Sequence, residues 1–204
     1  MLPRSCGRWR RGVLRPCKHV CYVLAMDPSR PRYRRVMWLS LALSVACIIV
    51  LQNIDRSLCT PATPRGIVSF EFTWNSATAQ RMLDSWDQNE RLQAALSIGL
   101  DYLFMYAYGA LAWSLMRLRA MALDHARRPR LAQTFRSLSF AAWAAVLCDA
   151  VENIAMWRML FGPMAPWPLL GSILATIKFS LIGLLLALWV ATWPIVRTNA
   201  PNSR

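Results

Sequence analysis

Four apolar runs, at about 36–52, 94–116, 138–161 and 169–193, divide the chain, and strongly polar segments separate them. Each is long enough to cross ~30 Å of hydrocarbon at ~1.5 Å per residue, the first lying near the lower limit of about 17 residues. Lipid offers no partner to backbone N–H and C=O groups, so runs of this kind must be helices. The pattern predicts an all-α integral membrane four-helix bundle with an amphipathic extracytoplasmic loop segment. A soluble core is the alternative, but helices apolar on every side and joined by charged loops are uncommon in a chain of 204 residues.

The connections carry patterns of their own. In the 53–92 loop, Thr60-Pro61-Ala62-Thr63-Pro64-Arg65-Gly66 is a turn-rich entry. Val68, Phe70, Phe72 and Trp74 then alternate with polar residues, which predicts an extended segment. Asn75 or Ser76 is placed to cap a short helix through about Trp86, with Met82, Leu83 and Trp86 on one side. Aromatic-rich amphipathic pieces usually lie at the headgroup level. The sharper alternative is a lid over the mouth of the bundle, with Glu71 pointing inward and Trp74 beside it. Residues 117–136 form a short basic connector. The proline-rich turn Gly162-Pro163-Met164-Ala165-Pro166-Trp167-Pro168 makes the third and fourth spans an antiparallel hairpin.

Charge fixes an orientation. The net charge of +14 invites a nucleic-acid partner, but its distribution removes the need for one. Of the 24 Lys and Arg residues, 10 lie in 1–35, 6 in 117–136 and 2 in 194–204, with only Asp27 and Asp124 opposing them. The connections 53–92 and 158–168 are balanced. Such asymmetry predicts that the basic segments and both chain ends face the cytoplasm of a bacterial inner membrane, against anionic headgroups. A second copy of the chain or another membrane protein is a further possible partner.

Within the basic N-terminal arm, residues 1–35, translation is expected to start at Met26. Residues 1–25 lack a clear period, and Met26 followed by a short basic stretch is the start expected of such a protein. Cys17-Lys18-His19-Val20-Cys21 has the residue types of a metal knuckle without its spacing or remaining ligands. A cleaved lipoprotein signal at Ser44-Val45-Ala46-Cys47 is disfavoured, because the apolar run continues past the cysteine. Cys59 alone falls in a predicted extracytoplasmic loop, so no disulfide framework is implied.

The chemistry is concentrated inside the spans, where an ionisable residue costs on the order of 2.5–3.5 kcal/mol at the helix centre. Asp101 lies in the second span, Asp149, Glu152 and Asn153 in the third, and Lys178 in the fourth. Counted from the outer boundary, Asp101 sits ~10 Å deep, Glu152 and Asn153 ~12–14 Å, Lys178 ~14 Å and Asp149 ~18 Å. Asp149, Glu152 and Asn153 share one stripe, which Ala142 and Ala145 continue inward. Asp101 shares its face with Ser97, Met105 and Tyr108. A polar pocket in the outer half of the bundle, roofed by the aromatic loop segment and floored by apolar residues, is therefore expected.

Two readings of that pocket compete. In one, Lys178 neutralises a carboxylate while Asn153 and hydroxyls of Tyr102, Tyr106 or Tyr108 satisfy the rest, fixing helix register. In the other, the layer binds a proton, a cation or a polar lipid group. Three carboxyls against one ammonium favour binding. The only histidines, His19 and His125, fall in basic segments, which argues against an intramembrane haem or zinc site, and no cofactor is expected. No hydrolase, zinc-protease or phosphate-loop motif is present, so an enzyme is disfavoured. Acid-pair chemistry on a lipid is the remaining catalytic possibility.

Phe70-Glu71, Trp86, Asp101-Tyr102-Leu103-Phe104, Tyr108 and Asp149-Ala150-Val151-Glu152-Asn153 together resemble a group of uncharacterised bacterial multi-pass membrane proteins with D-x-L-F and D-x-x-E-N patterns. The resemblance covers roughly residues 66–160. It implies the four-helix membrane architecture and supplies no activity.

Overall fold

A computed structural model describes residues 30–162 and 164–198. The expectations for residues 1–25, for a start at Met26 and for the Cys17–Cys21 pair fall outside the described residues. Within them the chain is all-α, with helices α1 (Arg30–Asp55), α2 (Ile67–Glu71), α3 (Ser76–Asp84), α4 (Gln88–His125), α5 (Pro129–Phe161), α6 (Trp167–Ala191) and α7 (Trp193–Thr198). A single 3-10 turn, Arg56–Leu58, follows α1.

The apolar runs are the middles of longer helices. Helix α1 is described from Arg30 to Asp55. Helix α4 has 38 residues, ~57 Å of rise, more than the hydrocarbon needs. The basic connector expected over 117–136 is therefore mostly helix. The end of α4 and the start of α5 take up all but residues 126–128, and Arg136 pairs with Asp124 across the turn.

Four helices are long and apolar enough to cross a membrane, and the chain is a membrane-embedded four-helix bundle. Its polarity is inverted relative to a soluble protein. Leu39, Phe140 and Leu147 face outward at 72%, 64% and 66% exposure, while Asp149, Glu152 and Asn153 are buried. Lipid tolerates the exposed apolar side chains; the polar ones have only the interior.

Helix α4 packs against α1 on one side and α5 on the other, and α5 packs against α6. Small residues permit the α4–α5 approach: a Cβ on Gly109 would strike Val146, and Ala142 and Ala145 are fully buried. Helices α1 and α6 do not pack along each other. Among the described residues the bundle is thus an arc with one side open.

The 53–92 connection folds into a cap over one end. Leu58, Phe70, Met82, Leu83 and Trp86 form a small core with Ala94, Ile98, Met156, Met159 and Leu160 of α4 and α5. The indole Nε1 of Trp86 donates to Leu58 O at 3.0 Å, and Thr63 Oγ1 donates to the same carbonyl at 2.6 Å. Met82, Leu83 and Trp86 therefore pack on the helix ends.

The extended segment expected over Val68–Trp74 is instead a helical turn, Ile67–Glu71. Among the described residues no strand is available to pair with it, and a lone strand leaves its backbone groups unmatched. The helix start is anchored instead: Asp55 Oδ1 at the end of α1 accepts from Ile67 N at 2.5 Å. Gly66, at φ 53° and ψ −128°, makes the entry. That backbone is glycine territory, and a Cβ there would collide with the Asp55 carboxylate. The short helix after it matches expectation, with Asn75 Oδ1 accepting from Thr78 N at 2.8 Å. Asp87 and Glu90 then exchange backbone N–H bonds at the start of α4 as a capping box.

Candidate functional site

Lys178, on α6, is the centre of the buried polar layer. Its Nζ lies 2.9 Å from Asp149 Oδ1 and 2.9 Å from Glu152 Oε2, both on α5. The i, i+3 spacing puts both carboxylates on the stripe that faces α6. The Asp149 contact is an aligned hydrogen bond; the Glu152 contact is an ion pair without that alignment. Asp149 is completed from the other side by Tyr108 of α4, whose hydroxyl donates to Oδ2 at 2.7 Å. Both Asp149 oxygens are thus occupied.

Asp101 and Asn153 form the second half of the layer. Asn153 Nδ2 donates to Asp101 Oδ2 at 2.7 Å across the α4–α5 interface. Ser97 and Met105, on the Asp101 face of α4, are buried as their spacing implied. Of the neighbouring tyrosines, Tyr108 enters the network and Tyr102 donates to Ala150 O at 3.4 Å, whereas Tyr106 is exposed.

The cap contributes one more carboxylate. Glu71 closes α2 with its Oε2 3.9 Å from Lys178 Nζ. Ser172 of α6 donates to Glu71 O at 3.0 Å, and the Phe72 ring stacks on Phe179 at 5.8 Å between centroids, so the backbone here is held to α6 from both sides. Trp74, expected beside it, is half exposed and takes no part. Burial pushes the Glu71 carboxyl up from an ordinary value of 4.5 to about 7, with Lys178 opposing the rise and Asp101 and Asp149 adding to it.

The layer is short of hydrogen-bond donors. Among the described residues, Glu71 Oε2, Glu152 Oε1 and Asn153 Oδ1 are buried with no hydrogen-bond partner, while Glu152 Oε2 is met by the Lys178 ammonium alone. Every one of these is an acceptor. Four carboxyls (Glu71, Asp101, Asp149, Glu152) surround a single ammonium, a ratio that leaves the site complementary to protons or to a donor-bearing cation. Among the described residues no three His, Cys, Asp or Glu side chains converge as a metal site requires.

A cavity of about 490 Å³ adjoins the layer, within the range of about 300–1,000 Å³ typical of ligand sites. Glu71, Asp101, Tyr108, Asp149 and Lys178 line its polar end, together with Gln52 and Asp55 of α1. Glu152 and Asn153 lie behind these, off the cavity wall. Sequence reasoning missed Ser172, Phe179, Gln52 and Asp55. Ser172 and Lys178 are six residues apart on α6, too far for one turn to flag, and the contribution of α1 depends on how the loop folds back.

No family model, no curated protein and no solved structure matches the chain.

Proposed function

We propose that this chain is a multi-pass protein of a bacterial inner membrane, with both ends cytoplasmic, that binds a proton or a cationic, donor-bearing polar group at the layer of Glu71, Asp101, Asp149 and Glu152. The observation that carries the reading is the excess of buried acceptors over donors around Lys178, beside a cavity of ligand size. A layer serving only to hold helices together gains most when every polar atom is paired. The absence of a convergent metal-type donor set among the described residues favours a proton or an organic cation over a metal ion.

Asp149→Asn and Glu152→Gln test it. Each keeps the shape and removes a charge, so the folded protein should persist in detergent while saturable binding of a short ammonium ion, such as ethylammonium, is lost. Unfolding of both variants would withdraw support from the binding reading.

A structural role is the second reading, and one observation favours it: Tyr108 and Lys178 together satisfy both oxygens of Asp149. In that case the layer locks α4, α5 and α6 in register, or holds a partner helix, and the two substitutions cost stability without altering any ligand.

A further inference from the structure

The cavity continues well beyond the polar layer. From Lys178 it runs along α6 past Ile182 and Leu186 to Trp189, ~16 Å of helix rise. Ile48 and Leu51 of α1 and Leu111 and Leu115 of α4 form the facing walls. All of these are apolar, so the cavity is amphipathic along its length: carboxylates at one end and hydrocarbon surface for the rest. At the far end Trp189 also carries the Arg119 guanidinium over its ring, at 4.4 Å. Among the described residues α1 and α6 do not pack along each other, so the cavity is open between them, on a side that a surrounding bilayer would reach.

We infer that the cavity takes a membrane amphiphile with a hydrocarbon tail and a primary-amine head, admitted sideways from the bilayer between α1 and α6. This rests on the binding reading above and names its ligand class. Three features of the molecule choose that class. The head must supply donors and positive charge, because Glu71, Asp101 and Asp149 line the polar end against the single Lys178 ammonium, and Glu71 Oε2 there has no hydrogen-bond partner. A carboxylate or phosphate alone brings only acceptors and meets repulsion. The tail keeps a hydrocarbon environment throughout, because the groove is apolar and opens to lipid. The tail thus costs little to transfer, and selectivity resides in the head.

The test uses the full chain in phosphatidylcholine nanodiscs, with empty discs subtracted, and measures saturable binding of dodecylamine, ethylamine and dodecanoate. Ile182→Trp fills the groove away from the carboxylates, and Glu71→Gln alters the head site. The inference expects one dodecylamine per chain, weakened at least about tenfold by Ile182→Trp, a change of about 1.4 kcal/mol. Ethylamine binding should survive that substitution, Glu71→Gln should weaken both amines, and dodecanoate should not saturate. Should Ile182→Trp unfold the protein, Ile182→Phe takes its place. Unchanged dodecylamine binding in the groove variant, with both amines still sensitive to Glu71→Gln, overturns the tail site and leaves the cation site standing. Equal binding of dodecanoate overturns the amine assignment. No saturable binding of either amine overturns both readings.

Discussion

Lys178 decides whether the layer holds together. With its ammonium removed, Asp149 and Glu152 are stranded in a water-poor interior, so Lys178→Met should cost about 3–5 kcal/mol. Combining it with Asp149→Asn and Glu152→Gln should recover much of that loss. Thermal unfolding in one detergent checks both, and a triple variant no more stable than the single one would show that the charges are not coupled. Glu71 provides the pH signature. Its carboxyl holds a proton more tightly in the folded protein than in the unfolded chain, where its value is near 4.5, against about 7 when folded. The folded state therefore binds more protons between those values, and this contribution to stability, complete below the lower value, is lost as pH rises through the upper one. The melting temperature should fall between about pH 5 and pH 8, and less steeply in Glu71→Gln. Identical profiles would mean that Glu71 does not titrate in that window.

At the scale of elements, the loop between α1 and α4 is what turns a set of spans into a site. Its placement depends on Gly66, whose backbone angles few other residues adopt and whose missing Cβ makes room for Asp55. Gly66→Ala should cost about 1–3 kcal/mol and loosen α2, exposing the 53–92 connection to limited proteolysis while the spans stay intact. Cleavage no faster than in the parent would show that the cap tolerates another entry. The short helix and its cap at Asn75 were legible because an Asn side chain satisfies end N–H groups locally. The Val68–Trp74 alternation misled because a period of two has meaning only where a neighbouring strand exists. What Phe70 and Trp86 bury against is the ends of α4 and α5, a long-range fact.

For the whole molecule, the positive charge at one end predicts which face meets the cytoplasm. Cys59 lies at the capped end, is exposed and is free, so it reports that orientation directly. A membrane-impermeant maleimide should label it in intact bacterial spheroplasts, with Cys59→Ser as the control. Labelling only after lysis would reverse the topology. The open α1–α6 side is the other global feature. Among the described residues α1 packs mainly on the central α4 and not along α6, and the groove follows from that arrangement.

The sequence by itself determined the four helices, their inverted polarity, the charged layer and which residues of α5 share a stripe, because hydrophobic run length, helical period and solvation cost act locally along the chain. Only the tertiary structure decided that Glu71 reaches Lys178, that Asp55 and Gln52 border the same cavity as Asp101, and that α1 and α6 stand apart. Those outcomes depend on how a cap folds back across the helix ends and on which helix occupies the centre. No periodicity encodes either, since both are settled by packing between residues far apart in the chain.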